Sequence, residues 1–249
     1  MVAAMSAYPG TLRVGILVFD EFEPLDVWGF VEPLSVARFV GTAYADPPPY
    51  PFEIVLISND ERDPDDDPDD PAVPAPVTSY NGPRVAPDLF RDEALEREID
   101  VLMIPGGMGL RWLLDPDELD DRDALFDWLH AMDKRVQLVT SVCTGAALLA
   151  AAGLLDGKPA TSNQQSFAWV SGFGPKVLWD NVARWVDAGR YVTSAGVSAG
   201  IDMGFHLVSR LAGRAVAEQA ALVCEYDWHR DPYAPIAYPA QARVPTRRG

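Results

Sequence analysis

Three short stretches of this chain are apolar at consecutive positions instead of alternating: residues 13–20 (RVGILVFD), 52–58 (FEIVLIS) and 100–105 (DVLMIP). A strand with one buried face is apolar at every second residue, so unbroken runs of Val, Ile and Leu describe strands covered on both sides, as in a parallel sheet. Apolar residues at helical spacing fall between and after them. Residues 24–40 begin with Pro24-Leu25-Asp26, residues 117–134 put Leu119, Leu125, Trp128, Leu129 and Met132 on one stripe, and residues 144–152 form an Ala/Leu helix that Gly153 can stop. Residues 135–142 and 191–195 read as further strands, 177–187 as alternating strand, and 166–171, 199–212 and 215–226 as helices. Residues 71–89, Pro-rich and carrying Asn81-Gly82, predict a loop, a short edge strand or a hairpin. Strands joined by helices need crossovers and helical layers, so the expected fold class is α/β, one domain with a mainly parallel sheet and helices on both faces.

Composition narrows function by exclusion. Of 249 residues 48% are apolar and 23% charged, enough for one sizeable core. The net charge of −17 opposes binding to nucleic-acid phosphates or anionic lipid. No apolar run reaches the roughly 18–20 residues that cross a bilayer, and residues 1–10 lack a basic start followed by an apolar stretch, so a cytoplasmic location is expected. Residues 59–71 carry eight acids against Arg62 and read as a solvated loop; they lack the Gly hinge and final Glu of a calcium loop. Lysine occurs only at Lys134, Lys158 and Lys176, and such an Asp-rich, Lys-poor surface suits a salt-loving or GC-rich source. Two cysteines make no disulfide framework, the three histidines have no zinc-ligand spacing, and no phosphate-binding Gly loop follows a strand. Cys224 and His206 are expected to be structural, as are Trp169, Trp179 and Trp185.

The residues with chemistry gather where strands end. Residues 137–145 (QLVTSVCTG) run directly into AALLAAAGLL, so Cys143 stands between a buried strand and an Ala-rich helix, with Gly145 two positions on. This is the thiol counterpart of the nucleophile elbow of hydrolases: the turn lifts the side chain out of the sheet, and the helix amides are expected to lower its pKa. Open α/β sheets bind ligands at the carboxyl ends of their strands, which brings two other strand ends toward Cys143. One is residues 105–109 (PGGMG), where Gly106 and Gly107 let backbone N–H groups approach a developing negative charge. The other is residues 19–26, with Asp20, Glu21, Glu23 and Asp26; a carboxyl group beside a thiolate has a raised pKa and can donate a proton. Each has a plainer reading alone, as a small core residue, a tight turn or a helix N-cap. Their joint occurrence favours a site.

With these residues the chain resembles the ThiJ/PfpI superfamily, the class I glutamine amidotransferase-like proteins, over about residues 13–226. The resemblance rests on GILVF with Asp26 downstream, DVLMIPGGMG, TSVCTG, AGLLDGKPAT and GVSAGID, in that order. It implies a flavodoxin-like three-layer sandwich for residues 13–226, an N-terminal extension at 1–12, an acidic Pro-rich insertion at about 59–76 and a C-terminal tail at 227–249. Cys-Thr-Gly and the Pro-Leu-Asp turn are most similar to the isonitrile (isocyanide) hydratase branch and to the ligand domains of some AraC-type regulators. On that branch the resemblance implies water addition to a small isocyanide, giving an N-substituted formamide through a Cys143 thioimidate. Asp26 is then the proton donor and water activator, and Thr144 with the amides around Gly107 and Thr144 orients the carboxyl and stabilises charge. Trp28 and Phe167 would wall the apolar side of the pocket. The resemblance implies a small-molecule substrate, no metal or organic cofactor, no nucleic-acid or membrane partner, and a homodimer.

Two departures stand out. Thr144 follows the cysteine where peptidase-like members place a histidine nearby, which argues against a Cys-His dyad. Hydratase-like chains often have a histidine after Ala-Thr-Thr, whereas this chain reads Ala160-Thr161-Ser162-Asn163. The same architecture leaves two further readings open: a glyoxalase- or deglycase-like enzyme acting on α-oxoaldehydes, and a non-enzymatic sensor whose cysteine oxidises to a sulfinic acid.

Overall fold

The structure, a computed structural model, describes residues 10–39, 50–63, 72–115, 117 and 119–234. In chain order its elements are β1 (Leu12–Val18), α1 (Pro24–Val36), β2 (Phe52–Ser58), β3 (Val77–Thr78), β4 (Arg84–Val85), α2 (Arg91–Leu95), β5 (Val101–Ile104), α3 (Leu110–Leu113) and α4 (Leu119–Asp133). There follow β6 (Leu138–Ser141), a 3-10 turn (Cys143–Gly145), α5 (Ala146–Ala151), β7 (Pro159–Ala160), α6 (Phe167–Ser171), β8 (Leu178–Trp179), β9 (Trp185–Asp187), β10 (Tyr191–Ser194), α7 (Ala199–Leu211) and α8 (Arg214–Val223).

The main sheet has the order β2-β1-β5-β6-β10-β9, parallel except where β9 pairs antiparallel with β10. The unbroken apolar runs are its centre: Ile16, Leu17, Leu102, Met103 and Ile104 are fully buried, because helices cover the sheet on both faces. On one side α1, α7 and α8 pack against one another; elsewhere α2 meets α4 and α5 meets α6. This is the α/β sandwich expected. After β1 the chain turns to β2 on one side, and β5 later fills the other side, so a crevice opens at the carboxyl ends of β1 and β5, where such sheets bind ligands.

Of the loop, short edge strand or hairpin expected within 71–89, a hairpin forms as β3 and β4, with Asn81 in the left-handed conformation (φ 48°) that its turn needs. It docks on the loop after β1: Glu21 N–H donates to the Thr78 carbonyl (2.7 Å), Tyr80 N–H to that of Phe22 (2.8 Å), and Thr78 N–H to Asp20 Oδ1 (2.7 Å). Residues 177–187 form two short strands, because Asp180 Oδ1 accepts from Val182 and Ala183 N–H (2.8 and 3.0 Å) and turns the chain. Gly153 ends its helix as expected, at φ 74°.

The domain does not stop at Tyr226. Trp228 packs on Phe205, His229 N–H donates to Asp202 Oδ1 (3.0 Å), Arg184 N–H to the Pro232 carbonyl (2.9 Å), and Tyr233 Oη to Asp180 Oδ2 (2.8 Å), so residues 227–234 belong to the fold. Within the acidic tract, Glu61 and Asn59 accept from the buried Arg91 guanidinium. Residues 64–71 of that tract, residues 1–9, Val40 and residues 235–249 lie outside the described residues. Among the described residues no helix is long and apolar enough to cross a membrane.

Candidate active site

Asp26 enters from α1. Glu23 caps that helix and Pro24 occupies its first position, which puts Asp26 in the first turn; it is not the cap itself, and it is completely buried. Its Oδ2 accepts the N–H of Gly106 (2.8 Å), while its Oδ1 has no hydrogen-bond partner within ordinary distance among the described residues; the Cys143 thiol also acts on the carboxyl as a donor.

Gly106 and Gly107 follow β5. Gly107 has φ 141°, and a Cβ there would lie 2.3 Å from the Glu21 carbonyl oxygen, so only glycine lets the β5 loop lie against the β1 loop. The Gly107 N–H donates to Thr144 Oγ1 (3.1 Å). Both glycine amides therefore act on neighbouring side chains of the protein. One fixes the Asp26 carboxyl and the other fixes Thr144.

Cys143 follows β6 with φ 59°, a left-handed conformation that costs an L residue roughly 1–2 kcal/mol and is the mark of an elbow. Its backbone is held on both sides. The Cys143 N–H donates to the Ala195 carbonyl (3.2 Å), and its own carbonyl accepts from Ser162 Oγ (2.7 Å). Gly145 permits the turn to sit on β5, since a Cβ there would come within 2.2 Å of the Ile104 oxygen. Glu21 and the β-branched Val197 are also left-handed (φ 61° and 45°), so three such residues converge on this crevice.

Besides the expected Thr144 amide, the sulfur has polar neighbours that the sequence did not announce. Asn163 Nδ2 donates to Sγ (3.2 Å), and the N–H groups of Thr144 and Val197 also act on it. Asn163 Oδ1 accepts from the Gln165 and Ser166 N–H groups (2.9 and 3.0 Å) at the start of α6, which fixes which end of the amide meets the thiol. These three donors surround the sulfur, where negative charge sits in a thiolate.

Burial sets the charge state of the pair. It pushes the Asp26 carboxyl up to about 8, with the Gly106 hydrogen bond opposing and Glu23 adding repulsion. It also pushes the Cys143 thiol up to about 12, with the Asp26 charge as the next cause and the Val197, Asn163 and Thr144 donors opposing. The raised carboxyl is as expected. The lowered thiol is not: a buried sulfur beside a carboxyl outweighs the short helical segment that follows it. At neutral pH the resting pair is thiol plus carboxylic acid.

A cavity of about 200 Å³ opens over the sulfur, lined among others by Glu23, Tyr80, Met108, Arg111, Ser166 and Trp169. Of the expected site residues Cys143, Thr144 and Gly107 line it, and Asp26 and Gly106 lie buried behind them. Trp28 and Phe167 do not line it. Two helical positions rotate a side chain about 200°, so Trp28 points away from Asp26 and lines a separate apolar groove with Phe205, Cys224 and Tyr226. Phe167 packs edge-on against Trp179 (5.8 Å), and the pocket wall is Trp169 instead, one of the residues expected only to pack. Cys224 is half-buried in that second groove, not core. His206 is satisfied by Asp187 (2.7 Å), as expected of a structural histidine. No cluster of three or more metal-ligating side chains occurs among the described residues.

Residues 12–210 match the DJ-1/PfpI family. Over 216 residues the chain is 34% identical to the isonitrile hydratase of Pseudomonas putida, covering 86% of this chain and 78% of that one. It is 26% identical over 204 residues to the transcriptional regulator GbdR of Pseudomonas aeruginosa, covering 82% of this chain but only 48% of the regulator. A crystal structure of a ThiJ/PfpI family protein from Pseudomonas syringae superposes with a TM-score of 0.70, at 25% identity, over 96% of this chain and 82% of that one.

Proposed function

The chain belongs to the DJ-1/PfpI family, and from that premise we propose that it is an isonitrile hydratase-like lyase, converting a small isocyanide and water into an N-substituted formamide. The observation that carries this reading is the buried pair of Cys143 and Asp26, with the carboxyl pinned by Gly106 and the sulfur met by three N–H donors. A carboxylic acid held beside a nucleophile suits a substrate whose one carbon must accept both a nucleophile and a proton. Similarity to the Pseudomonas putida enzyme over most of both chains supports the same choice.

The reactive form holds a single proton on the pair; that proton rests on the sulfur, the weaker acid, and passes to the Asp26 carboxylate to give thiolate and carboxylic acid. The sulfur forms a bond to the terminal isocyanide carbon while Asp26 delivers its proton to that carbon, leaving a thioimidate and a carboxylate. The carboxylate then takes a proton from water as its oxygen adds to the same carbon, and passes that proton to the nitrogen. When the tetrahedral adduct collapses, the hydroxyl proton returns to Asp26, the C–S bond breaks, and the formamide leaves. Sulfur and carboxyl end as they began, so one water is consumed per turnover. The Asn163, Thr144 and Val197 donors stabilise the sulfur anion at both ends of the cycle.

The test is formamide production from cyclohexyl isocyanide. Cys143→Ala is expected to abolish turnover, and Asp26→Asn to lower kcat by roughly 10²–10⁴. A wild type that makes no formamide, yet whose Cys143 still reacts with a thiol probe, would remove the hydratase reading and leave methylglyoxal turnover and peroxide oxidation as the assays to run.

A further inference from the structure

Arg111 lines the same cavity as Cys143, Asn163 and Trp169, on α3. Its guanidinium carbon lies 5.1 Å from the centre of the Trp169 ring, and among the described residues the guanidinium makes no hydrogen bond or ion pair. Arg13, Arg91, Arg184, Arg190 and Arg210 are each fastened to a carboxylate. Arg111 has no such partner, and it stands at the mouth of a reactive pocket.

Stacking on an indole face fixes a guanidinium without using its in-plane N–H groups, which remain free to grip a carboxylate side-on. The Trp169 ring is itself set by α6, whose first turn is tied to Asn163, so the same amide that meets the sulfur positions the platform beneath the cation. Glu23 is the other charged group on the cavity wall. It repels an anion from its own side and so favours one orientation, with the reacting carbon over Cys143 and the charge toward Arg111. The cavity, about 200 Å³, is smaller than the roughly 300–1,000 Å³ of drug-sized ligand sites, which limits the arm between the two ends to a few atoms.

We propose that Arg111 is a specificity-determining residue, giving the pocket an anion-binding end, and that the substrate is a short molecule bearing a carboxylate or similar anion beyond its electrophilic carbon. This rests on Cys143 being the reacting group, as proposed above, but it does not need the electrophile to be an isocyanide.

Iodoacetate and iodoacetamide test it directly, because both place a CH₂–I carbon before the thiolate, lose iodide as the S–C bond forms, and are close in size but differ in charge; comparing their rate ratio between wild type and variant cancels their different intrinsic reactivity. Alkylation is followed on the peptide that contains Cys143, which keeps Cys224 out of the reading. The ratio of the iodoacetate rate to the iodoacetamide rate is expected to fall about tenfold in Arg111→Gln, the scale of one charge-assisted hydrogen bond, and to return only in part in Arg111→Lys, which keeps the charge but not the planar fork. An unchanged ratio in Arg111→Gln overturns the proposal. Should that variant not fold, wild-type Cys143 decides between the outcomes: protection from iodoacetamide by acetate but not by acetamide supports the anion site, and equal protection by both removes it.

A second arm compares isocyanoacetate with its methyl ester as substrates. No turnover of either, together with an alkylation ratio that depends on Arg111, defeats the hydratase reading and keeps the anion site. Turnover of both, with a ratio indifferent to Arg111, does the reverse.

Discussion

At the scale of single residues, the chemistry depends on how many protons Cys143 and Asp26 hold together. With the carboxyl raised to about 8 and the thiol higher still, the pair carries two protons below pH 8 and one above it. The one-proton form is the nucleophilic one, so kcat/KM is expected to climb about tenfold per pH unit toward pH 8 and then level off, a profile that initial rates at low substrate will trace. In Asp26→Asn the rise through pH 8 should vanish. Asn163 gives a second expectation. Its Oδ1 is occupied by two N–H groups, so Asn163→Asp must set a carboxylate oxygen against the sulfur, whereas Asn163→Ala only removes a donor. The aspartate variant should alkylate more slowly at Cys143 than the alanine variant, and the reverse order would mean that the amide does not face the thiol. Cys143 and Asp26 were legible because a strand, a turn and a helix announce an elbow within a few residues. Asn163, Val197 and Arg111 were not, since what makes them matter is a neighbour far away in sequence. Trp28 is the instructive case: helical geometry alone separates it from Asp26, and that signal was present in the sequence.

At the scale of elements, the strands with four or more consecutive apolar residues were readable within a residue or two, because burial on both faces writes itself into composition. The two-residue strands and the short helices α2 and α3 were not, since their geometry comes from contacts such as Asp20 on Thr78 or Glu93 on the Phe90 N–H. The opposite edge of the sheet shows the same logic at work on stability. Asp100 accepts the Arg13 N–H at the start of β1 (2.8 Å) and the Gln137 amide just before β6 (2.7 Å), so one side chain fastens the starts of neighbouring strands. Asp100→Ala is expected to lower unfolding free energy by about 1–3 kcal/mol in urea titrations. The Cys143 alkylation rate of the folded variant should stay at the wild-type value, because the strand ends that build the site lie at the other edge.

At the scale of the whole molecule, a buried charge ties distant segments together. Asp202 of α7 accepts Arg184 Nε (2.9 Å) from the turn before β9, and its second oxygen accepts the His229 N–H (3.0 Å) beyond α8. Both charged side chains are almost wholly buried. Asp202→Ala leaves the guanidinium without its counterion and should cost roughly 3–5 kcal/mol, measurable as a lower denaturation midpoint. Replacing Arg184 and Asp202 together by apolar residues of similar size is expected to recover much of that loss. The clasp also has a consequence in time. Some 83 residues separate Cys143 from Tyr226, which at about 5–20 residues per second is roughly 4–17 s of synthesis. A nascent chain therefore presents its thiol to the cell well before the segment that closes the fold has been made, and that interval is when the sulfur is most open to oxidation or premature capture.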